Sequence, residues 1–433
     1  MAIKVLIHAG PLPADLDRHR YDYCIGLKPT VLPAQVHHNL DLLGTGSQPC
    51  PEKVLAVLVA SLGVWVADKL APRHQAADAW TRCLEVHCPA PGWAEALTRL
   101  ASLLDFLTGD VWKMAARPVP AWLPMVLRPE LSWQPDIVCL FSGGLDSLAG
   151  AIDLLEAGHR VLLVSHYDFG QLASTQNYLS EALRQAFGPE RVRRWGFRIQ
   201  FEAPELSLRS RALLFLALGV AAASVWDAPI PVAVPENGWI SLNPPLTGNR
   251  LGSYSTRTTH PYFFRGFQQW LAEVGIPNTL ANPCQYLTKG EVLARCRRPD
   301  LLRRLAPATI SCAHPVASRW LKGRQGNCGY CYPCLIRRAA LHAVGWDDGR
   351  EYQVDVRRQP EILASRARGA DLRSLLYLLD SWAAHPSPHR LLWQTGPVPP
   401  EDCQHYVALL RQSLEEIRRW WQDQPPPAAR QEQ

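Results

Sequence analysis

Apolar residues recur along this chain with two periods. Ile3–His8 is a short apolar run that predicts a strand. Glu52–Lys69 carries Val54, Leu55, Val57, Leu58 and Leu62, and Trp93–Leu107 carries Leu97, Leu100, Leu103 and Leu104 on one face, so both predict helices. Pro118, Pro120, Pro124 and Pro129 then cluster, and because proline continues neither a helix nor a central strand they mark a boundary. Residues 1–125 are expected to be a mostly helical region with a few strands.

Beyond that boundary, apolar runs alternate with helical stretches. Asp136–Phe141 is a run closed by Gly-Gly, Leu145–Glu156 is helical and ended by Gly158, and Arg160–Ser165 is a second run. A helix over Thr175–Phe187, a strand near Phe197–Phe201, a helix over Arg211–Trp226 and the run Pro231–Pro235 follow. Strands alternating with helices imply crossover units and a parallel sheet buried on both faces. The fold class expected is therefore α/β, with a parallel-sheet domain over 131–345 flanked by mostly helical terminal regions. Glu361–Arg368, Asp371–Ala383 and Glu401–Trp421 predict helices in a carboxyl-terminal region, 346–424, and 425–433 reads as a disordered tail.

Composition narrows the class. At 433 residues the prior is about three domains. With 47% hydrophobic and 19% charged residues the chain is far from the signature of disorder. The net charge is +6, and 38 of the 45 basic residues are Arg. No Lys/Arg block of five or more occurs, so charge does not imply a nucleic-acid partner. Val54–Ala67 and Ala212–Trp226, the longest uncharged apolar stretches at 14 and 15 residues, are shorter than the roughly 20 that span a bilayer. They read as buried helices of a cytoplasmic protein without a signal peptide or a membrane partner.

Two segments carry chemistry. The first is Ile137-Val-Cys-Leu-Phe-Ser142-Gly143-Gly144-Leu145-Asp146-Ser147-Leu148, a buried strand that runs through Ser-Gly-Gly straight into a helix. Such a junction presents backbone amides and the positive end of the helix dipole to an anion, and glycine lets the backbone approach it. Ser142 and Ser147 add hydroxyl donors. Asp146 beside a phosphate suits Mg²⁺ bound to a pyrophosphate. No Gly-x4-Gly-Lys-Ser/Thr occurs, which excludes a Walker loop. The second segment is Cys312-x15-Cys328-Gly-Tyr-Cys331-Tyr-Pro-Cys334, four of the chain's twelve cysteines. Four thiolates in one loop suit structural zinc, and an iron–sulfur cluster uses the same ligands.

Ser-Gly-Gly-x-Asp-Ser resembles the pyrophosphatase loop of the N-type ATP pyrophosphatases, the PP-loop superfamily. The cysteine segment, with Ser311 before it and Arg337 after it, resembles the zinc site of the 7-cyano-7-deazaguanine synthase (QueC) family. The resemblance spans about Asp136–Val344. It implies a parallel-sheet fold in which residues 142–147 grip the β/γ-pyrophosphate of ATP, with adenine against Leu163, Val164, Ser165 and His166. It also implies that Lys289, in Thr288-Lys289-Gly-Glu291, approaches the phosphates, and that Arg211 contacts a phosphate or carboxylate. The activity implied is adenylation of 7-carboxy-7-deazaguanine and then attack by an amine, giving an amide or, with ammonia and a second activation, a nitrile.

Residues 234–261 depart from the family's substrate-reading element. They follow the carboxyl end of a strand, where ligands bind in open α/β sheets, and are dense in polar groups. Glu236 suits the N–H edge of a guanine-like base, with Asn237, Gly238, Asn243, Arg250 and Thr259 around it. Arg257 suits a carboxylate or the charge developing at the α-phosphate, and His260 suits proton transfer with the amine. The flanking regions resemble those of QueC-like proteins from bacterial anti-phage operons of the Qat type, which implies a defence role and a protein partner from the same operon. A tRNA-modifying PP-loop enzyme and a non-catalytic nucleotide-binding subunit are the rival readings.

Overall fold

The computed structural model describes residues 2–9, 16–27, 34–117, 123, 125–128, 133–167, 170–205, 209–247, 257–314 and 326–423. The 248–256 stretch, with Arg250, and the 424–433 tail lie outside the described residues.

The first stretch of chain forms β1 (Ile3–His8), β2 (Tyr23–Gly26), β3 (Ala34–Gln35), β4 (His37–His38), α1 (Glu52–Leu70), β5 (Cys83–Pro89), α2 (Leu97–Thr108) and β6 (Val111–Arg117). Here the structure corrects the sequence reading. The region is a five-stranded sheet in the order β3-β2-β1-β5-β6, with every pairing parallel. The reason lies in its pattern. Ile7 and Val86 face α1, close enough that a Cβ on Gly63 would meet both, while Lys4, Glu85 and Lys113 alternate onto the opposite face. One polar face breaks up the continuous apolar run by which a parallel strand is recognised.

The next stretch forms β7 (Ile137–Leu140), α3 (Leu145–Glu156), β8 (Val161–Tyr167), α4 (Gly170–Phe187), β9 (Val192–Gln200), α5 (Arg211–Ala223), β10 (Val232–Ala233), α6 (Gly238–Leu242), α7 (Pro261–Glu273) and β11 (Leu280–Ala281). Its six-stranded sheet runs β11-β10-β7-β8-β9-β4, parallel except where β4 pairs antiparallel with β9. The two longest apolar stretches are α1 and α5, which pack on each other, α1 also against β1 and β5 and α5 against β7 and β8. Almost every residue of both is buried, as expected for helices apolar all round. No helix among the described residues is long and apolar enough to cross a membrane.

The remainder forms α8 (Lys289–Ala294), α9 (Pro299–Leu305), α10 (Tyr332–Ala343), α11 (Ala370–Ala384), α12 (Pro388–Thr395) and α13 (Cys403–Gln422). The helix expected over Glu361–Arg368 is only a 3-10 turn, Pro360–Ala364. The Arg373 guanidinium takes the carbonyls of Leu363, Ser365 and Arg366 that a continuing helix would have used.

Two compact units result, and they do not follow the expected borders near 125 and 345. One comprises 1–142, 154–235 and 252–283 and holds both sheets. The other comprises 143–153, 236–251 and 284–433, with a core of α10, α13 and their neighbours around Trp239, Leu335, Leu410 and Trp420.

Candidate functional site

In the first unit, the strand leading to the Ser-Gly-Gly loop is tied to its neighbour at the carboxyl end. The Phe141 N–H donates to the Val164 carbonyl (2.7 Å), and Ser165 Oγ donates to the Phe141 carbonyl (2.9 Å). Gln176 Nε2 donates to the carbonyls of Ser142 (3.1 Å) and His166 (3.3 Å). Gln176 is fully buried on α4 at the spacing of Leu172, Leu179 and Leu183. A polar residue on that apolar stripe was the sequence signal for its role.

His166 and Arg211 meet at the end of β8. Arg211 Nε donates to His166 Nδ1 (3.2 Å) and Arg211 Nη2 to the His166 carbonyl (3.2 Å). Burial, and then the Arg211 charge, push the His166 imidazole well below its ordinary value, so it is neutral. Neutral His166 thus holds Arg211 in place as an uncharged acceptor.

In the second unit, Gly143 is left-handed (φ 84°), a conformation that lets the loop turn into α3, and its carbonyl accepts from the Ile310 N–H (3.0 Å). Asp146 lies in the first turn of α3, buried at 8% exposure. Its Oδ1 accepts from Lys289 Nζ (2.7 Å) and its Oδ2 from Asn237 Nδ2 (2.8 Å). Three residues expected at the site, from three separate segments, are thus in direct contact. Lys289 stands at the start of α8, and Thr288 and Glu291 form the capping box suggested by the Thr-x-x-Glu spacing. Asn237 caps α6, its Oδ1 accepting from the Ile240 N–H (3.1 Å), and a Cβ on Gly238 would meet the Gln285 carbonyl at 2.3 Å. One N–H and one lone pair of the Asn237 amide are thus engaged by the protein, and the N–H positions Asp146. Gly238 is required by close packing. Asn243 closes α6 in the left-handed conformation.

Glu416 of α13 was not foreseen. It accepts from Thr288 Oγ1 and from the Gly290 N–H (3.2 Å), and so fixes the turn that carries Lys289. Burial pushes its carboxyl up to about 7. Cys284, near Asp146, is pushed up to about 12 by burial and is a neutral thiol.

Two expected catalytic groups are engaged elsewhere, in the first unit. Arg257 Nη1 donates to the Phe106 carbonyl (2.8 Å), and its guanidinium lies 4.4 Å from the centre of the Phe106 ring. His260 is fully buried as the cap of α7, Nδ1 accepting from the Tyr262 N–H (3.3 Å), with Pro261 opening the helix behind it. The structure shows His260 making this cap contact, at Nδ1. Thr259 is buried beside it, and Glu236 is half-buried.

The four cysteines converge. Every sulfur lies within 4.8 Å of the others, with Cys312–Cys331 at 3.8 Å and Cys328–Cys334 at 3.9 Å. A tetrahedron of Zn–S bonds of about 2.3 Å has S···S edges of about 3.8 Å, so the donor set fits one metal ion. The N–H groups of Ala313, His314, Cys328 and Cys331 donate to these sulfurs at 3.3–3.4 Å, as bonds to thiolates would. Hydrogen bonds from Cys328, Cys331 and Cys334 pull the Cys312 thiol well below its ordinary value. Buried Arg337 braces the cluster's helix, donating to Thr309 Oγ1 (2.5 Å), the Ala306 carbonyl (2.7 Å) and the Tyr352 hydroxyl (3.2 Å).

The chain is 28% identical over 253 residues to the 7-cyano-7-deazaguanine synthase of Novosphingobium aromaticivorans, covering 52% of this chain and 98% of that protein. Over half its length, the chain is similar to 7-cyano-7-deazaguanine synthases. A second such synthase, from Thermoplasma acidophilum, is 25% identical over 233 residues, covering 50% of this chain and 91% of that protein. No family model matches the chain, and no solved structure matches it. The similarity supports a QueC-like, ATP-using enzyme with a PP-loop fold.

Proposed function

We propose that this chain is an ATP-dependent carbon–nitrogen ligase that adenylates 7-carboxy-7-deazaguanine and passes the acyl group to an amine. The observation that carries the reading is the buried Asp146–Lys289 pair (2.7 Å) in the first turn after a Ser-Gly-Gly loop, in a chain similar to enzymes named for a deazaguanine product.

In the first step a carboxylate oxygen of the acid attacks the α-phosphorus of ATP. The bond from that phosphorus to the bridging oxygen breaks, and pyrophosphate leaves. Residues 142–147 receive the pyrophosphate at the opening of α3, and Lys289 supplies positive charge there. The Asp146 carboxylate fits Mg²⁺, which typically takes one or two carboxylates together with substrate phosphates. When bound, Mg²⁺ would neutralise the charge of the leaving pyrophosphate. Asn237 and Lys289 hold Asp146 in one orientation for that purpose. The end of β8, with Val164, Ser165, His166 and Arg211, takes the adenine and a phosphate oxygen. Glu236 reads the base of the acid.

In the second step the amine nitrogen attacks the acyl carbon, its bond to the AMP oxygen breaks, and AMP leaves with an amide as product. The acceptor we propose is an amine on a protein partner, in an anti-phage system of the Qat type. The support is that nearly half of the chain lies outside the similarity to small-molecule synthases, which are matched almost end to end. Intact-mass measurement of proteins co-expressed from the same operon tests this. A mass gain of one deazaguanine acyl group that is lost with Asp146→Asn is the expected result. Free nitrile with no adduct would instead make the chain a standard 7-cyano-7-deazaguanine synthase.

A further inference from the structure

The five-stranded sheet has no part in the reaction above, yet its architecture is that of a ligand-binding sheet. The chain builds outward from β1 through β2 to β3 at one edge, then returns to add β5 and β6 on the other side of β1. The strand order therefore reverses between β1 and β5. In open parallel sheets, ligands lodge outside the carboxyl ends of the strands at such a reversal.

His8 ends β1 and Arg117 ends β6, and both are nine-tenths buried or more. Arg117 Nη1 stands 3.1 Å from His8 Nδ1. An Arg always donates, so Nδ1 accepts and His8 is neutral. The titratable groups that act on Arg117 are Tyr21, Cys24 and Cys88. Burial raises both thiols, Cys88 to about 12, so neither supplies a negative charge at neutral pH. Among the described residues Arg117 has no carboxylate partner. A buried guanidinium almost always has one, or else binds an anion. Arg117 keeps further N–H donors arranged in a fork that matches an oxyanion.

We propose that the carboxyl end of this sheet is a second binding site, in which Arg117, set by neutral His8, takes the oxyanion of a small ligand, a phosphate ester or a carboxylate. The site is separate from the adenylation chemistry and stands whether or not that reading holds. The six-stranded sheet repeats the device, since Arg211 donates to His166 Nδ1 (3.2 Å) at the carboxyl end of β8.

The test is amide hydrogen exchange on the full chain, in inorganic phosphate and, separately, in acetate, each against chloride at equal ionic strength. The peptides read are those covering 3–9 and 111–117. The expected result is at least threefold slower exchange in these peptides with an oxyanion, absent in Arg117→Met and partly kept in Arg117→Lys. Protection by phosphate alone assigns a phosphate ester, and protection by both assigns general oxyanion recognition. Thermal unfolding keeps the result interpretable. Arg117→Met should leave the melting temperature in chloride unchanged or higher, because it removes a buried charge that has no counter-charge. Exchange indifferent to both anions would overturn the proposal, as would a fall of several degrees in the melting temperature of Arg117→Met with no anion effect, because the guanidinium would then be satisfied by the protein's own carboxylate.

Discussion

The two parallel sheets end in the same way and read very differently from sequence. In each, an Arg donates to the Nδ1 of a His at the carboxyl end of a strand, Arg211 on His166 and Arg117 on His8. The six-stranded sheet is covered on both faces, so β7 and β8 stand out as apolar runs, and a glycine loop marks the carboxyl end of β7. The five-stranded sheet is covered by helices on one face and presents Lys4, Glu85, His87 and Lys113 on the other. Its strands look like mixed-polarity chain, and the region was expected to be mostly helical. β1 is still legible as the apolar run Ile3–His8, whereas β5 and β6, with more polar residues on the open face, are not, so a parallel strand becomes harder to read as its second face turns polar.

The largest test separates the sheets from the cysteine cluster. All four cysteines lie in the second compact unit and both sheets in the first. Removing the metal, or Cys331→Ser, should cost the second unit several kcal/mol, the scale of a structural metal site. Hydrogen exchange should accelerate by at least tenfold around 326–343 and stay slow in β1, β5, β7 and β8. Elemental analysis should find one metal ion per chain, and visible absorbance distinguishes zinc, which has none, from an iron–sulfur cluster. Equal acceleration in both sheets would show that they do not fold independently of the metal.

A smaller effect separates the two arginines. Arg211→Met should lower ATP–pyrophosphate exchange by roughly 10- to 100-fold, a few kcal/mol or less of lost charge stabilisation. Arg117→Met should leave that rate unchanged. Equal losses in the two variants would collapse the distinction between the sheets.

The last effect concerns pH. The ordinary value for the Glu416 carboxyl is 4.5, and burial raises it to about 7 in the folded chain. Between these values the folded protein holds a proton that the unfolded chain has lost. Stability from this group is therefore full below 4.5 and declines as pH rises to about 7, by on the order of 3 kcal/mol. Melting temperatures of Glu416→Gln should lose that slope, while Asp146 and Lys289 remain in place. An unchanged slope would remove Glu416 from the account.

Much of the candidate site was legible because local chemistry determines it. The strand-loop-helix junction announces residues 142–147, and α3 occupies the predicted span Leu145–Glu156. Thr288 and Glu291 announce the start of α8 three residues apart, and short spacing gathers Cys328, Cys331 and Cys334. Other features depend on tertiary contacts. Nothing local shows that Glu416 reaches the Thr288 turn more than a hundred residues back in the chain, or that Asn237 serves Asp146 and its own helix. The contacts of His260 and Arg257 also depend on tertiary structure. A polar residue before proline suits helix capping and acid–base work equally until its surroundings are seen, and those are Phe106 and the start of α7.

In the proposed reaction the Asp146–Lys289 cluster serves acid-dependent adenylation by ATP. Exchange of labelled pyrophosphate into ATP, with 7-carboxy-7-deazaguanine as the acid, tests it most directly. The expected result is exchange that requires the acid and falls by roughly 10²–10³-fold in Asp146→Asn, a variant of the same size that removes the charge and leaves one acceptor oxygen for the two donors, Lys289 and Asn237. No acid-dependent exchange in the wild-type chain, or an undiminished rate in Asp146→Asn, would contradict it.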